Sequence, residues 1–401
     1  MNVQRAVLVL SLAVFATMAG NSVVIPFLPL YVHQFGVSEF GAGLLFSVHA
    51  ATRIIVLPFI GRLSDRWERK TFLLIGIFCY TLSSLAYMPA EQLITFVSVM
   101  IIHGTATAVV HPVAMAYVGE LAPKGQEGRY SSYLNSALLG GIAGGPILGG
   151  AIKDLFGMQT NFWVMAGLST AALGLIWISL PKAHGHGKKG GALTASVWSV
   201  LACPPLAGVA GFRFGYALAN ALTWVFLPLL ATHMLPLSTT QVGLLVSANT
   251  LVSTFLQAPS GRLADRMSKP LLIGIGGLGS ALTLALFPWA SAFWQLLLLN
   301  VLVGAFYGLA FPSHVAVAIE NSSAYGMGTV MSMLLTAHGL GMMLGPMIFG
   351  SLASHGSLGA AFVGGGVICS LLTFACYPLT KKPGFQPESV AVTEKESAMA
   401  D

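Results

Sequence analysis

The chain alternates between long apolar runs and short polar connections. A run of about 20 apolar residues is long enough to cross a membrane as a helix. The pattern predicts twelve such spans, six in each half of the chain. They are residues 6–31, 40–60, 71–89, 93–119, 131–152, 161–180, 205–232, 240–259, 270–289, 292–318, 326–352 and 359–379.

The two halves repeat the same sequence pattern 200 residues apart. Residues 61–70 read GRLSDRWERK, and residues 261–270 read GRLADRMSKP. Matches at the same offset continue through the apolar runs: Gly43 with Gly243, Gly104 with Gly304, Gly145 with Gly345, and Pro146 with Pro346. Duplication of a helical bundle is typical of secondary transporters. We therefore predict an all-α integral membrane fold of two six-helix bundles, related by a pseudo-twofold axis along the membrane normal, with substrate between them.

The polar segments divide the chain into four predicted parts. Residues 1–180 form the N-terminal bundle, and residues 205–380 form the C-terminal bundle. Residues 181–204 are rich in Gly, His and Lys and are interpreted as the linker. The polar residues 381–401 are interpreted as a disordered tail.

Composition supports lipid as the solvent. Charged residues make up only 8% of the 401 residues, against about 25% in soluble domains, and 55% are hydrophobic. The net charge of +6 does not indicate nucleic acid, because nearly all Lys and Arg outside the spans fall on one side of the predicted membrane. The opposite side receives only Lys153. The positive-inside rule then predicts that both termini and the linker are cytoplasmic. We expect the membrane to be the inner membrane of the cell.

Basic and titratable residues lie inside the predicted spans, whereas none of the 13 Asp and Glu residues falls near mid-span. Arg53 lies near the membrane midplane, one helical turn from His49. A charge at that depth normally faces a cavity and has a function. An arginine without a buried carboxylate favours an anionic or neutral amphiphile over a cation. The substrate-binding candidates are Arg53, His49, His338, Tyr31, Trp224 and Arg213.

Imidazole titrates near pH 6.5, so histidines inside the spans are candidate proton carriers. His103 and His338 are the two that we assign to proton coupling. Structural explanations stay open: a histidine can be neutral and packed, Arg53 can brace neighbouring helices through carbonyl groups, and Arg213 can extend to the cytoplasmic surface.

Two motifs predict conformational gating. Asp65 is an acid among cations where the second span leaves the membrane, so it can pair with arginine or a helix N-terminus and latch one state. A glycine-rich stretch with a proline in the fifth span offers either simple packing or a surface on which the halves rock. The gating candidates are Gly61, Asp65, Arg66, Arg69, Asp265, Arg266, Gly141, Gly145, Pro146, Gly149 and Gly150.

These motifs resemble those of the major facilitator superfamily, and within it the drug:proton antiporter (multidrug efflux) type. The resemblance implies that Asp65 belongs to a charge relay that stabilises the outward-open state, and that substrate leaves in exchange for protons. One position departs from the type: where its members usually carry an arginine, four residues before Gly104, this chain has Met100, and His103 precedes the glycine.

We therefore predict a secondary transporter that works by alternating access, with a small-molecule substrate, protons and membrane lipid as partners and no nucleic acid. A proton-coupled exporter acting as a monomer is the first interpretation; an importer or facilitator of an organic anion or other small metabolite is the alternative. An enzyme is disfavoured because the sequence contains no His-x-x-x-His pair, Gly-x-Ser-x-Gly or nucleotide loop. We expect no cofactor and no metal.

Overall fold

The computed structural model describes residues 3–66, 68–123, 125–180 and 197–382, except the side chains of residues 61, 62, 65, 66, 127 and 197. This part of the chain is helical and contains no β-strand. It holds twelve helices long and apolar enough to cross a membrane, which confirms the predicted spans. They are α1 (Val3–His33), α2 (Glu39–Arg66), α3 (Arg69–Tyr87), α4 (Leu93–Leu121), α5 (Glu127–Phe156), α6 (Met158–Ser179), α7 (Pro204–Met234), α8 (Thr239–Ala264), α9 (Lys269–Trp289), α10 (Phe293–Glu320), α11 (Met327–His355) and α12 (Leu358–Thr380).

Several helices extend beyond the predicted apolar runs. We predicted the second span to end at residue 60, but α2 continues to Arg66, and α5 begins at Glu127 rather than at residue 131. The apolar run measures the hydrocarbon thickness, whereas the helix continues through polar residues at the membrane surface. These helix ends refer to the part of the chain that the structure describes.

The first helix of each half is interrupted at a corresponding place. In α1 a 3-10 turn covers Ile25–Phe27, and in α7 a π-helical turn covers Leu222–Phe226. Pro26 follows the first helical segment of α1, and Pro228 follows the π turn of α7. Proline has no N–H to donate, so the regular hydrogen-bond ladder cannot pass through these positions unchanged.

Helix packing is the same in the two halves. In the N-terminal half α1 packs against α5 and α6, α4 against α2 and α3, and α3 against α6. In the C-terminal half α7 packs against α11 and α12, α10 against α8 and α9, and α9 against α12. Adding six to each helix number converts the first set of contacts into the second, so the sequence repeat is also a structural repeat.

The halves meet through two equivalent helix pairs. Helix α5 packs against α8, and α2 packs against α11, and the repeat exchanges these two pairs. We call the end of the bundle that carries both Val3 and Thr380 the basic end, and the end that carries the α1–α2 and α5–α6 connections the outer end. Gly157, with φ of +83°, makes the tight α5–α6 connection that L side chains rarely allow.

The predicted linker lies partly outside the described residues, as do residues 383–401 of the predicted tail. The last part of the linker is helical. Val197–Leu201 forms a short helix, here called the linker helix, and α7 begins at Pro204. Val200 and Cys203 are buried against the C-terminal half.

Candidate transport site and gate

Arg53 lies in the middle of α2 and is half-buried. Within the described part of the chain its guanidinium has no hydrogen bond and no ion pair. His49 and His111 of the same half, and His338 of the other half, lie close enough to interact with it electrostatically. The charge is therefore next to basic groups from both halves and has no counter-ion among the described residues.

His49 belongs to a hydrogen-bonded network that joins α2, α3 and α4. Its Nε2 is 3.1 Å from the Thr107 hydroxyl, and the Tyr80 hydroxyl is 3.1 Å from the same oxygen. The Thr107 hydroxyl itself donates to the carbonyl of His103 at 3.0 Å. Because its one proton is used there, Thr107 accepts from both neighbours, which places the His49 proton on Nε2.

His103 is fully buried beside that network. Its Nε2 is 2.6 Å from Asn21 Oδ1, and its Nδ1 is 2.9 Å from the Tyr87 hydroxyl. An amide oxygen only accepts, so Nε2 donates and Nδ1 accepts from Tyr87 in the neutral ring. The ring of His49 lies 5.2 Å away, edge to face. The structure thus gives His103 two structural partners, and its predicted role as proton carrier stays a prediction.

Arg213 is held inside the C-terminal half. It donates to the Tyr307 hydroxyl at 2.6 Å, and its guanidinium lies 5.3 Å from the ring centre of Phe311. Tyr216 stacks between Tyr307 and His338. Arg213 is therefore bonded to α10 instead of extending to the surface. The buried Nδ1 of His338 has no hydrogen-bond partner within the described residues.

The two aromatic candidates lie in packed regions. Tyr31 is buried and meets Phe35, Phe96 and Phe162 edge to face. These residues lie towards the outer end of the N-terminal half, so the structure places Tyr31 in an aromatic core cluster and not beside Arg53. Trp224 is half-buried in the π turn of α7 and packs against the main apolar core. Their assignment to substrate binding is untested.

The two halves are latched together at the outer end. The Asp154 carboxylate, at the end of α5, accepts from the backbone N–H groups of Thr239 and Thr240, each at 2.8 Å. It also accepts from both threonine hydroxyls, that of Thr240 at 2.6 Å and that of Thr239 at a shorter distance. Asp154 thus caps the N-terminus of α8 from the other half, where the helix dipole favours a negative charge.

The repeat supplies a weaker copy of this latch. Ser354, 200 residues after Asp154, accepts from the backbone N–H of Phe40 at 3.0 Å at the start of α2. Both places join the two halves at the outer end, through Asp154 on α8 and Ser354 on α2. In the described structure the halves are therefore held together at the outer end.

Glycines let the paired helices approach closely at the same end. A Cβ on Gly243 would collide with the carbonyl of Pro146, and one on Gly43 with that of Pro346. Gly150 lies directly against the backbone of Thr239. The α5 motif therefore touches the other half through Pro146 and Gly150.

The remaining motif glycines serve another contact. Cβ atoms on Gly141, Gly145 and Gly149 would meet α1, at the backbone of Phe15, Ala19 and Val23 in turn. The motif is therefore both a packing face within the N-terminal half and, at its outer end, part of the surface between halves. The packing role is therefore described by these contacts, and the role of the motif as a surface on which the halves rock stays a prediction.

At the basic end, the predicted gating charges are only partly described. The surroundings of Gly61, Asp65 and Arg66 lie outside the described residues, whereas Asp265 and Arg266 are exposed. Two equivalent ion pairs link α3 to α4 and α9 to α10. Arg69 donates to Glu120 at 2.7 Å, and Lys269 forms an ion pair with Glu320 at 2.8 Å. Arg69 is thus bound within its own half, and its predicted gating role stays a prediction.

Sequence reasoning missed the latch and the polar partners of the histidines. The sequence analysis assigned no role to Asp154. The one available signal was the capping box Ser238-Thr239-Thr240-Gln241, which marks the start of α8. Asn21, Tyr80 and Tyr87 gave no signal, because single polar residues in apolar spans are common.

Comparisons with known proteins agree with this architecture. The sequence profile described as Major Facilitator Superfamily matches residues 10–217 and again residues 209–397. An uncharacterized MFS-type transporter of Methanocaldococcus jannaschii is 25% identical over 356 residues, covering 87% of this chain and 92% of that relative. Multidrug resistance protein MdtG of Serratia proteamaculans is 26% identical over 373 residues, covering 90% of each.

Solved structures show the same fold. A bacterial homologue of the human lysosomal transporter Spinster, in an inward-facing and unoccupied conformation, matches with a TM-score of 0.78 at 14% identity over 96% of this chain and 99% of that one. The nucleoside transporter NupG matches with a TM-score of 0.75 at 15% identity over 96% of this chain and 100% of that one. With twelve spans, a duplicated bundle and this profile matched in both halves, the chain belongs to the major facilitator superfamily and is a multi-pass membrane transporter.

Proposed function

We propose that this transporter is a proton-coupled exporter of small amphiphilic compounds that are anionic or neutral, and that it works by alternating access. It would act as a monomer in the inner membrane, with both termini in the cytoplasm. The name of the MdtG relatives, multidrug resistance protein, supports export of varied compounds. The charge distribution of the site supports the substrate class.

The observation that carries the substrate class is the unpaired guanidinium of Arg53. Arg213, the other arginine within the predicted apolar runs, already has Tyr307 as a partner. No Asp or Glu among the described residues lies near mid-span. A cationic drug would meet arginine and histidine without a neutralising carboxylate, whereas a carboxylate or phosphate would complete the hydrogen bonds of Arg53.

Protons would enter through histidine. His338 lies close enough to Arg53 and Arg213 to interact with them, and its Nδ1 has no partner among the described residues. The hydrogen bonds of His103 suit a proton as well as a neutral ring. When protonated, His103 can donate to the Tyr87 oxygen while the Tyr87 hydroxyl turns to the sulfur of Met100 at 3.4 Å. Both nitrogens then keep a partner in either charge state, as a reversible proton carrier requires.

Alternating access would come from exchanging the contacts at the two ends. The latch of Asp154 on α8 holds the outer end closed in the present state. Opening that end breaks the latch and exposes the polar groups of the site to the other side, while the repeated Asp-Arg loops near residues 65 and 265 close the basic end.

A matched series of probes tests the proposal. Naphthoate, neutral naphthamide and the permanently charged cation naphthylmethyltrimethylammonium share one ring system and differ in charge. In inside-out vesicles an imposed pH gradient, acid inside, should drive accumulation of naphthoate and leave the cation unmoved. Arg53→Gln should weaken naphthoate binding at least tenfold, because hydrogen bonds to charged groups contribute about 1.5–3 kcal/mol, and should leave naphthamide binding unchanged.

Lys382→Gln is the matched control, since Lys382 is an exposed cation at the basic end. Equal loss of naphthoate binding in this variant would mean that net charge and not the site attracts the anion. Wild-type naphthoate affinity in Arg53→Gln would remove Arg53 from the site, and accumulation of the cation would overturn the substrate class.

One observation favours the importer or facilitator as a second candidate. Met100 occupies the helix position where the resemblance leads us to expect an arginine, and it is fully buried against the Tyr87 hydroxyl. Accumulation of naphthoate that is the same with and without the pH gradient would support this alternative over proton-coupled export.

A further inference from the structure

A second cleft lies at the basic end, between the first turns of α1 and α5. It encloses about 470 Å³, within the range of about 300–1,000 Å³ that is usual for small-molecule sites. Val7 and Leu8 give it an apolar wall, and Arg129 and Tyr133 stand on the opposite side. Arg53 does not line it, so it is separate from the central site.

Arg129 supplies an anion-binding group there. Its Nε donates to the Tyr133 hydroxyl at 2.9 Å, and its guanidinium lies 5.8 Å from the ring centre of that tyrosine. This contact fixes the side chain through one nitrogen. The two terminal nitrogens have no hydrogen bond within the described residues, and they form the fork that fits a carboxylate or phosphate.

An independent polar group in the wall also lacks a partner. Ser11 lines the cleft and is only 9% exposed. Its hydroxyl has no hydrogen bond within the described residues. A buried hydroxyl without a partner is unfavourable, so a polar atom of a ligand that enters the cleft would satisfy it.

The other half shows that the fold does not require this cleft. Tyr130 and Tyr133 correspond to Val330 and Met333 at the offset of 200. There the chain fills the groove itself, because Val330 and Met333 belong to one buried cluster with Val200 of the linker helix. Position 129 corresponds to Thr329, so the cation is also present in only one half.

We propose that this cleft is a second binding site, which takes an amphiphilic anion with a carboxylate or phosphate head on Arg129 and an apolar chain against Val7 and Leu8. The site does not depend on the central site or on the direction of transport. Both a transported compound and an anionic membrane lipid have this chemistry.

A fluorescent fatty acid, dansylaminoundecanoate, tests the site in the full-length protein reconstituted in phosphatidylcholine nanodiscs. Its methyl ester is the neutral probe. Arg129→Gln should weaken binding of the acid about fivefold and leave binding of the ester unchanged. Leu8→Arg should strengthen binding of the acid and Leu8→Glu should weaken it, since Leu8 is exposed and tolerates either charge at the membrane surface.

The controls separate this site from the alternatives. Lys382→Gln should bind the acid as the wild type does, and in Arg53→Gln the part of the binding that depends on Arg129 should remain. Equal binding of acid and ester, equal loss in Lys382→Gln, or the same change in both Leu8 variants would overturn the proposal. Loss in Arg53→Gln alone would place the probe in the central site and also overturn it.

Changing the lipid of the nanodisc distinguishes the two possible natural occupants of the cleft. Replacing phosphatidylcholine with phosphatidylglycerol should displace the acid if an anionic lipid occupies the cleft. Unchanged binding of the acid would support a transported compound as the occupant, with the site itself retained.

Discussion

Removing the Asp154 carboxylate should open the outer end of the transporter. Asp154→Ala removes all four hydrogen bonds to Thr239 and Thr240, while the capping box of Ser238 and Gln241 at the start of α8 remains. Loss of an N-cap side chain costs about 0.5–2 kcal/mol. Because this cap comes from the other half, it exists only while the outer end is closed. The full cost therefore shifts the equilibrium towards the outward-open state, by about 2- to 30-fold.

The repeat provides the matched control. Ser354 accepts a single hydrogen bond from Phe40 at the equivalent position. One neutral hydrogen bond at an exposed site contributes about 0.5 kcal/mol, so Ser354→Ala should shift the same equilibrium only about twofold. The ratio between the two variants tests the latch more sharply than either does alone.

Spin-label distances measure the opening. Glu91 and Ser291 are exposed and equivalent positions in the α3–α4 and α9–α10 connections at the outer end. Cysteine labels at both should give one short distance in the wild type and an added longer distance in Asp154→Ala. A distribution identical to wild type would refute the reasoning, and so would an equal response in Ser354→Ala.

Two further results are expected from buried polar groups. His103→Phe leaves the Asn21 side-chain oxygen without its donor and leaves the Tyr87 hydroxyl only the sulfur of Met100. Because a buried polar group left unpaired costs about 1–3 kcal/mol, the detergent-solubilised protein should melt below wild type; an unchanged melting temperature would contradict the network. Glu120→Gln should lower thermal stability clearly, because it removes the charged partner of buried Arg69, whereas Glu320→Gln, which breaks the more exposed pair with Lys269, should change it little. The reverse order would show that burial does not decide the cost.

The fold could be predicted from the sequence because its main signals are linear. Span length follows from bilayer thickness, and duplication shows as matches at a constant offset. The limits of the helices were predicted less well, since α2 and α5 extend into polar surface segments. An apolar run ends at the edge of the hydrocarbon layer of the membrane, whereas the helix can continue beyond it.

The contacts of the site could not be predicted in the same way. The latch joins residues 85 positions apart, and the two partners of His103 lie 16 and 82 positions away. A sequence shows that Asp154 and His103 are polar, but not which groups complete their hydrogen bonds. This is why the sequence predicted a proton carrier at His103 without its partners and assigned no role to Asp154.

The sequence repeat distinguishes two sets of residues: those at close contacts between the halves and those proposed to bind substrate. Contacts that exchange between halves must work on both sides of the pseudo-twofold axis, and there the offset of 200 preserves the residue, as in Gly43 and Gly243 or Pro146 and Pro346. A substrate without twofold symmetry sets no such requirement on the residues that bind it. At the candidate site the offset changes the chemistry completely: Arg53 corresponds to Ser253, His49 to Asn249, His338 to Leu138 and Arg213 to Ala13. Duplication explains why the gate is nearly symmetric, and departure from it indicates where in each half the substrate is recognised.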